Sequence, residues 1–431
     1  MDQSRRDFLR NATVAGVGIA FADEAWAKPV RSANEKVAFA CIGVGGKGGS
    51  DTSDAAKFGD VVAICDIDDN TLAKAKEKYP NAKVYTDYRK MFEEMGKSID
   101  AVTVSTPDHH HAIAAAMAIK MGKHCFCQKP LTRSIWEARQ LGELARKMKV
   151  ATQMGNQGTA GGGLRNDAMM IKKGILGTVT EVHCWTNRPI WPQGMERSAE
   201  KPVPAHVHWD EWIGPAPMRP YADGYHTFAW RGWWDFGTGA LGDMACHTVN
   251  MPYMALDLRY PTSVVATTSG NNKDSFPKST EITFEFPATK DRPAVKMVWY
   301  DGGKMPPADL FEGTKPSDSG SLIIGTKGKM YTGGDYGGGG KLFGDASEIE
   351  VDYTRSPGHF EEFMRAIKEG IPATSNFPDY AGPLTETILL GNLAVWAEGK
   401  KIEWDAKKLR AKNAPEVAKI IKPDYRKGWE L

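Results

Sequence analysis

Two stretches of this chain carry residues whose types and spacing are suited to chemistry. Gly43-x-Gly45-x-x-Gly48, with Gly46 in the same turn, follows an apolar run. Glycine allows a tight turn and brings backbone N–H groups close to a pyrophosphate, whose charge meets the positive end of the next helix. Asp66 lies about twenty residues further on, where an acid would take ribose hydroxyls. A carboxylate there repels a 2′-phosphate, so NAD is expected rather than NADP. Asp68 and Asp69 add to that field. The second stretch is Ser105-Thr106-Pro107-Asp108-His109-His110-His111. It follows another apolar run and would border the nucleotide crevice, with Thr106, Pro107 and His111 as cofactor-side candidates. Neighbouring residues of a loop point in different directions, so three adjacent histidines do not make a metal site. One is expected at a helix start or beside the cofactor, the others on the loop surface. His124-Cys125-x-Cys127 has no matching second pair and is not read as a metal site either.

These groups need a scaffold, and the pattern around them supplies one. Val37–Ile42 and residues 61–65 and 101–104 are continuous apolar runs, as expected of strands covered on both faces. His124–Cys127 reads as the next strand. Helices are expected at residues 72–79, stopped before Pro80, at 112–121, closed by Gly122, and at 135–149. Strands alternating with helices imply a parallel sheet wrapped by helices. Past Gly155 glycine, proline and tryptophan become frequent, and alternating strands are expected at Ser263–Thr268 and at residues 281–286 and 295–299. The fold class is therefore α/β: an N-terminal Rossmann domain over residues 28–155, then an α+β domain over residues 156–431 built on a largely antiparallel open sheet. The open face makes a homodimer or homotetramer plausible. The glycine-rich stretch 333–340 reads as a flexible surface connection.

The ends and the composition narrow the setting. Ser4-Arg5-Arg6-Asp7-Phe8-Leu9, the apolar run 12–22 and Ala25-Trp26-Ala27 read as a twin-arginine export signal over residues 1–27. The run is too short to span a bilayer, which takes roughly 20 residues. A periplasmic or otherwise exported protein is expected. The roughly 400 residues that remain are too many for one core, so two domains are the default. Lys and Arg total 55 against 53 Asp and Glu, which argues against nucleic acid as the partner. Of the six cysteines, Cys41, Cys65, Cys125 and Cys127 lie in apolar strand-like runs, so buried reduced thiols are expected. Several of the 13 tryptophans fall between Trp185 and Trp234, where they could be core or could stack on sugar faces.

Gln128-Lys129-Pro130 completes a set of motifs that resembles the glucose–fructose oxidoreductase, inositol dehydrogenase and rhizopine-catabolism family (Gfo/Idh/MocA). The set includes the glycine turn, the Thr-Pro-x-x-x-His loop ending at His111, and Trp-Asp-x-Gly-x-Gly-x-Leu-x-Asp-x-x-x-His from Trp234 to His247. It closes with Pro383-Leu384-Thr385-Glu386-Thr387, Trp404-Asp405 and Tyr425-Arg426-x-Gly428-Trp429. The resemblance implies a catalytic lysine, aspartate and histidine at Lys129, Asp243 and His247, with Lys129 and Gln128 also beside the cofactor. Asp243 and His247 are four apart in a segment, 240–251, that reads as helical up to Pro252, so they share a face. His247 would take a hydroxyl proton, Asp243 would orient its ring, and Lys129 would polarise the substrate oxygen. The family commonly has Glu where this chain has Gln128, which removes a carboxylate partner from Lys129. Asn156, Gln157, Trp191, His208, Arg231 and Trp233 are the substrate-pocket candidates, donors among aromatic platforms as in sugar sites.

The resemblance implies hydride transfer on a sugar or polyol hydroxyl with NAD. Export adds a constraint, because a compartment without an NAD pool favours a cofactor that stays bound and is recycled. Two schemes do so: a ping-pong oxidoreductase, and a redox-neutral glycosidase like the family's α-N-acetylgalactosaminidases. The latter needs a further base for a C–H proton, for which Tyr225 or His226 is placed. A non-catalytic sugar-binding protein is the third reading, and Gln128 its best argument.

Overall fold

A computed structural model describes residues 36–431. The expected export signal lies outside the described residues. In the first part β1 (Val37–Ile42), α1 (Lys47–Phe58), β2 (Gly59–Cys65), α2 (Asp69–Lys78), β3 (Lys83–Tyr85) and α3 (Tyr88–Met95) alternate. They are followed by β4 (Ala101–Val104), α4 (Asp108–Lys120), β5 (His124–Cys127), α5 (Ile135–Met148) and β6 (Thr152–Met154). The six strands form a parallel sheet in the order β3-β2-β1-β4-β5-β6. Buried on both faces, β1 carries the unbroken apolar run that marks such strands, and β4 departs from it only at Thr103. Helix α5 starts on a capping box, in which Ser134 and Glu137 each satisfy the other's backbone N–H.

The second part begins with α6 (Gly162–Lys172), β7 (Val179–Trp185), α7 (Trp209–Ile213), α8 (Gly239–Thr248) and α9 (Asn250–Leu256). It continues with β8 (Ser263–Thr268), β9 (Thr280–Phe286), β10 (Val295–Tyr300), β11 (Gly320–Gly325), β12 (Gly328–Gly333) and β13 (Lys341–Gly344). The last elements are α10 (His359–Glu369), α11 (Gly382–Trp396), β14 (Ile402–Asp405), β15 (Arg410–Ala411) and α12 (Ala418–Ile421). Nine strands make one sheet, antiparallel except where β7 and β10 run together. Helices α8 and α11 pack on it. The halves do not stay apart: Phe360, Phe363 and Met364 of α10 return to the first sheet and pack with Phe39 and Phe126.

Two local departures matter for the site. Helix α4 begins at Asp108 rather than at the expected Ala112, because Pro107 presets the helix entrance and Asp108 suits its positive end. All three histidines are thereby drawn into the first helical turn and are only 1–4% exposed, not on a loop surface. The helix expected over 240–251 divides at Val249 into α8 and α9. Pro252 falls in the first turn of α9, where its missing N–H costs nothing. All six cysteines are buried and free. No helix among the described residues is long and apolar enough to cross a membrane.

Candidate active site

The carboxyl ends of the parallel strands open on a cavity of about 740 Å³. It sits where the strand order reverses, between the loops that follow β1 and β4. Gly43, Gly45 and Gly46 line it from one side, Ser105, Thr106 and Pro107 from the other. The turn is built for close approach. A methyl on Gly43 would lie 2.6 Å from the Ser105 carbonyl oxygen, and one on Gly48 would overlap the Gly43 carbonyl. Gly46, at φ 50°, has nothing within 4 Å of where a side chain would begin, so bare backbone faces the cavity at the start of α1. Asp66 lines the cavity beyond the turn, anchored by Val44 N–H at 2.9 Å and Asp68 N–H at 3.2 Å. Burial raises its carboxyl above the ordinary range. A pyrophosphate cradle flanked by a ribose-side acid fits a dinucleotide.

Gln128 answers the question its identity raised. Its Nε2 donates to Asp51 Oδ2 at 2.8 Å, an oxygen that also accepts from Ser105 Oγ at 2.7 Å, while Lys47 pairs with the same carboxylate. The buried charge at this spot is thus supplied by Asp51 of α1. Lys129 finds its carboxylate elsewhere. Its Nζ lies 2.8 Å from both Oδ1 and the backbone oxygen of Asp243, and Arg231 Nε lies 3.2 Å from the same Oδ1. Burial works against the Lys129 charge, but Asp243 outweighs it and keeps the pKa above the ordinary value. Burial likewise opposes the Asp243 charge, and Lys129 then Arg231 overcome it.

His247 lines the cavity four residues from Asp243, on the same face of α8. Asp243 makes no hydrogen bond to its ring, contrary to expectation; its Oδ1 is shared by Lys129 and Arg231 instead. The ring stands edge-on to Tyr336, 5.1 Å between centroids, and its Nδ1 is buried without a partner. Burial first and the Lys129 charge second push its pKa down to about 3. The three groups therefore divide into a fixed cation, its counter-ion and a neutral imidazole.

The remaining candidates separate. Gln157, Trp191 and Arg231 line the cavity, with Arg231 stacked 4.3 Å from the Trp230 ring centre. Asn156, Trp233 and His208 do not. Asn156 is wholly buried and accepts from Ser375 Oγ at 2.5 Å. Trp233 is core, its Nε1 donating to Gly224 O at 2.7 Å. His208 pairs with Asp69 at 2.9 Å outside the cavity. Tyr225 belongs to the same aromatic core as Trp233, whereas His226 reaches the cavity. His111 does not line it. Its nitrogens lie 2.8 Å from Pro130 O and 2.9 Å from Thr106 O, and burial lowers its pKa to about 4, so the neutral ring donates to one of them. It braces the loop after β4 against the loop after β5.

Several cavity residues escaped the sequence. Asp335 and Tyr336 come from the glycine-rich stretch expected to be a flexible surface connection. That stretch instead lies against α6, with Gly338 in close contact with Gly163, and Tyr336 receives a hydrogen bond from Gln157 at 3.1 Å. An Asp-Tyr pair set among glycines was the available signal. Asp108 also lines the cavity. Thr238 Oγ1 donates to its Oδ2 at 2.6 Å, and burial raises its pKa to about 7 against that bond and the pull of Arg231.

Comparison with known proteins yields two family matches. Residues 36–156 match an oxidoreductase family's NAD-binding Rossmann fold, and residues 166–431 match the C-terminal alpha/beta domain of the same family. An alpha-N-acetylgalactosaminidase of Tannerella forsythia is 31% identical over 147 residues, 28% of this chain and 31% of that protein. A D-glucoside 3-dehydrogenase of Escherichia coli K12 is 33% identical over 89 residues, 21% of this chain and 25% of that protein. The chain thus spans about a third or less of the length of the curated relatives it matches. Among solved structures, the WlbA dehydrogenase of Bordetella pertussis in complex with NADH and UDP-GlcNAcA superposes with a TM-score of 0.60 at 15% identity. That match covers 86% of this chain and 99% of the other, and shows the fold.

Proposed function

The chain belongs to the Gfo/Idh/MocA oxidoreductase family, and from that premise we propose that it transfers hydride at a sugar or polyol hydroxyl using a tightly held, recycled NAD, in an exported setting. One observation carries the proposal: neutral His247 and the Lys129–Asp243 pair line the same cavity as the glycine turn. When bound, NAD supplies a hydride acceptor at nicotinamide C4 and returns the hydride in the second half-reaction. Gly43, Gly45, Gly46 and Asp66 would hold it. The Lys129 ammonium donates to the substrate oxygen and stabilises the alkoxide as it forms. His247 takes the hydroxyl proton on its ring nitrogen, of which Nδ1 has no partner within the protein. Asp243 keeps Lys129 charged and in place. Trp191 and Trp230 supply apolar faces for a sugar ring.

A second reading has its own support. His226 lines the cavity in neutral form, its pKa lowered by burial, and would serve as the base for an adjacent C–H proton in a redox-neutral glycosidase. The similarity to the alpha-N-acetylgalactosaminidase points the same way. The test is to purify the protein without added nucleotide, denature it and identify what is released by mass spectrometry. NAD is expected; glycosides and sugar pairs then serve as substrates with nothing added. A protein that is empty and binds neither NAD nor NADP overturns both readings.

Asp108 makes the binding of the two cofactor forms depend on pH. Its carboxyl is neutral below about 7 and anionic above. An anion beside the nicotinamide end favours the positively charged oxidised ring over the neutral reduced one. The ratio of the Kd for NAD to the Kd for NADH is therefore expected to fall several-fold between about pH 6 and about pH 8, and to stay flat in Asp108→Asn. Titration by intrinsic fluorescence measures both constants. An equal ratio at both pH values in the parent chain would remove Asp108 from the nicotinamide site.

A further inference from the structure

The motif Tyr425-Arg426-x-Gly428-Trp429 has no part in the chemistry above, yet it ends at the cavity. Trp429 lines the cavity beside Tyr88, which follows β3, and His110 of α4, with Asp87 also in the lining. Asp66, the ribose-side acid, ends the neighbouring β2, so this wall bounds the adenosine half of a dinucleotide laid across the strand ends.

The segment is fastened at several points. Tyr425 Oη donates to buried Glu137 Oε1 at 2.9 Å, in the capping box of α5. Arg426 pairs with Asp210 at 2.6 Å, and its N–H donates to Pro215 O at 3.3 Å. Arg89, itself held by Asp87, donates to Gly428 O at 3.2 Å and lies 3.7 Å from the centre of the Trp429 ring. Tyr88 and His110 meet that ring edge-on at 5.6 and 5.7 Å. The indole is packed into the core, only 2% exposed, and still forms part of the cavity lining.

We propose that residues 425–429 are a retaining strap for the adenosine half of the dinucleotide, with Trp429 as the closing wall, and that this strap makes NAD a resident cofactor. The proposal rests on the NAD-dependent reading above. Arg89 and Trp429 form one unit across the chain, so an adenosine group can leave only as the strap lifts. The surface pair Arg426–Asp210 then sets how often it lifts.

The test uses full-length protein loaded with isotope-labelled NAD and chased with unlabelled NAD, the retained label being counted by mass spectrometry. Label loss is expected to quicken at least tenfold in Trp429→Ala and several-fold in Asp210→Ala, whose site is on the surface. AMP affinity should fall in both variants while NMN affinity stays level, an outcome that general loosening does not produce. Exchange within twofold of the parent in both variants overturns the strap, as does equal weakening of AMP and NMN. A parent chain that binds no dinucleotide overturns the NAD-dependent reading itself and the strap with it.

Discussion

Turnover of His247→Ala is expected to fall by about a hundred- to ten-thousand-fold, the usual worth of a general base, with NAD still bound. The loss follows from the division of charge at the site. Lys129 is held as a cation by Asp243 and has no lone pair to offer, and Asp243 is held as an anion by Lys129 and Arg231. Removing the imidazole leaves no neutral acceptor beside the substrate hydroxyl. The ring touches Tyr336 but lies away from the glycine turn, so the cofactor cradle stays intact. Because its pKa is pushed down to about 3, His247 is neutral across the physiological range and contributes no acid limb to kcat/KM there. Cofactor content by mass spectrometry and steady-state kinetics separate the two effects. Turnover equal to the parent would eliminate His247 as the base.

Gly48→Ala is expected to raise the Kd for NAD at least a hundredfold. The added methyl would overlap the carbonyl oxygen of Gly43 and lie 3.1 Å from the Ser105 side chain. A backbone carbonyl cannot swing aside as a flexible side chain would, so α1 must draw back from β1. Overpacking of this kind costs about 1–3 kcal/mol of stability, and a hundredfold loss of affinity is about 2.7 kcal/mol. The same displacement moves the bare backbone of Gly46 and the helix N-terminus away from the phosphates. Calorimetric titration with NAD beside a thermal melt tests both consequences. Affinity within twofold of the parent would show that this turn is not the phosphate cradle.

How much of this was legible in advance varied with the range of the interactions involved. The alternation of strands and helices was plain because parallel strands covered on both faces must be apolar throughout, as Val37–Ile42 is. The glycine turn and Asp66 were readable because the chemistry there is backbone and spacing. Two of the three adjacent histidines are expected on the loop surface, yet all three are buried. Polar side chains suggest exposure, but carbonyls of Trp212, Phe236 and Pro130 wait in the interior to meet His109, His110 and His111. Tryptophans 191 and 233 looked alike on the page, yet one reaches the cavity and the other is core.

By itself, then, the sequence determined the strand–helix alternation of the first part, the glycine turn and the four-residue spacing that puts Asp243 and His247 on one helical face. These depend on contacts within a turn or two, where residue type is decisive. Only the tertiary structure decided which groups pair. Asp51 reaches Gln128, Asp243 holds Lys129 rather than His247, Tyr336 arrives from a glycine-rich loop and Trp429 joins the cavity lining. Such partnerships join segments tens to hundreds of residues apart. They follow from how two sheets and their loops pack, and local pattern carries no record of that packing.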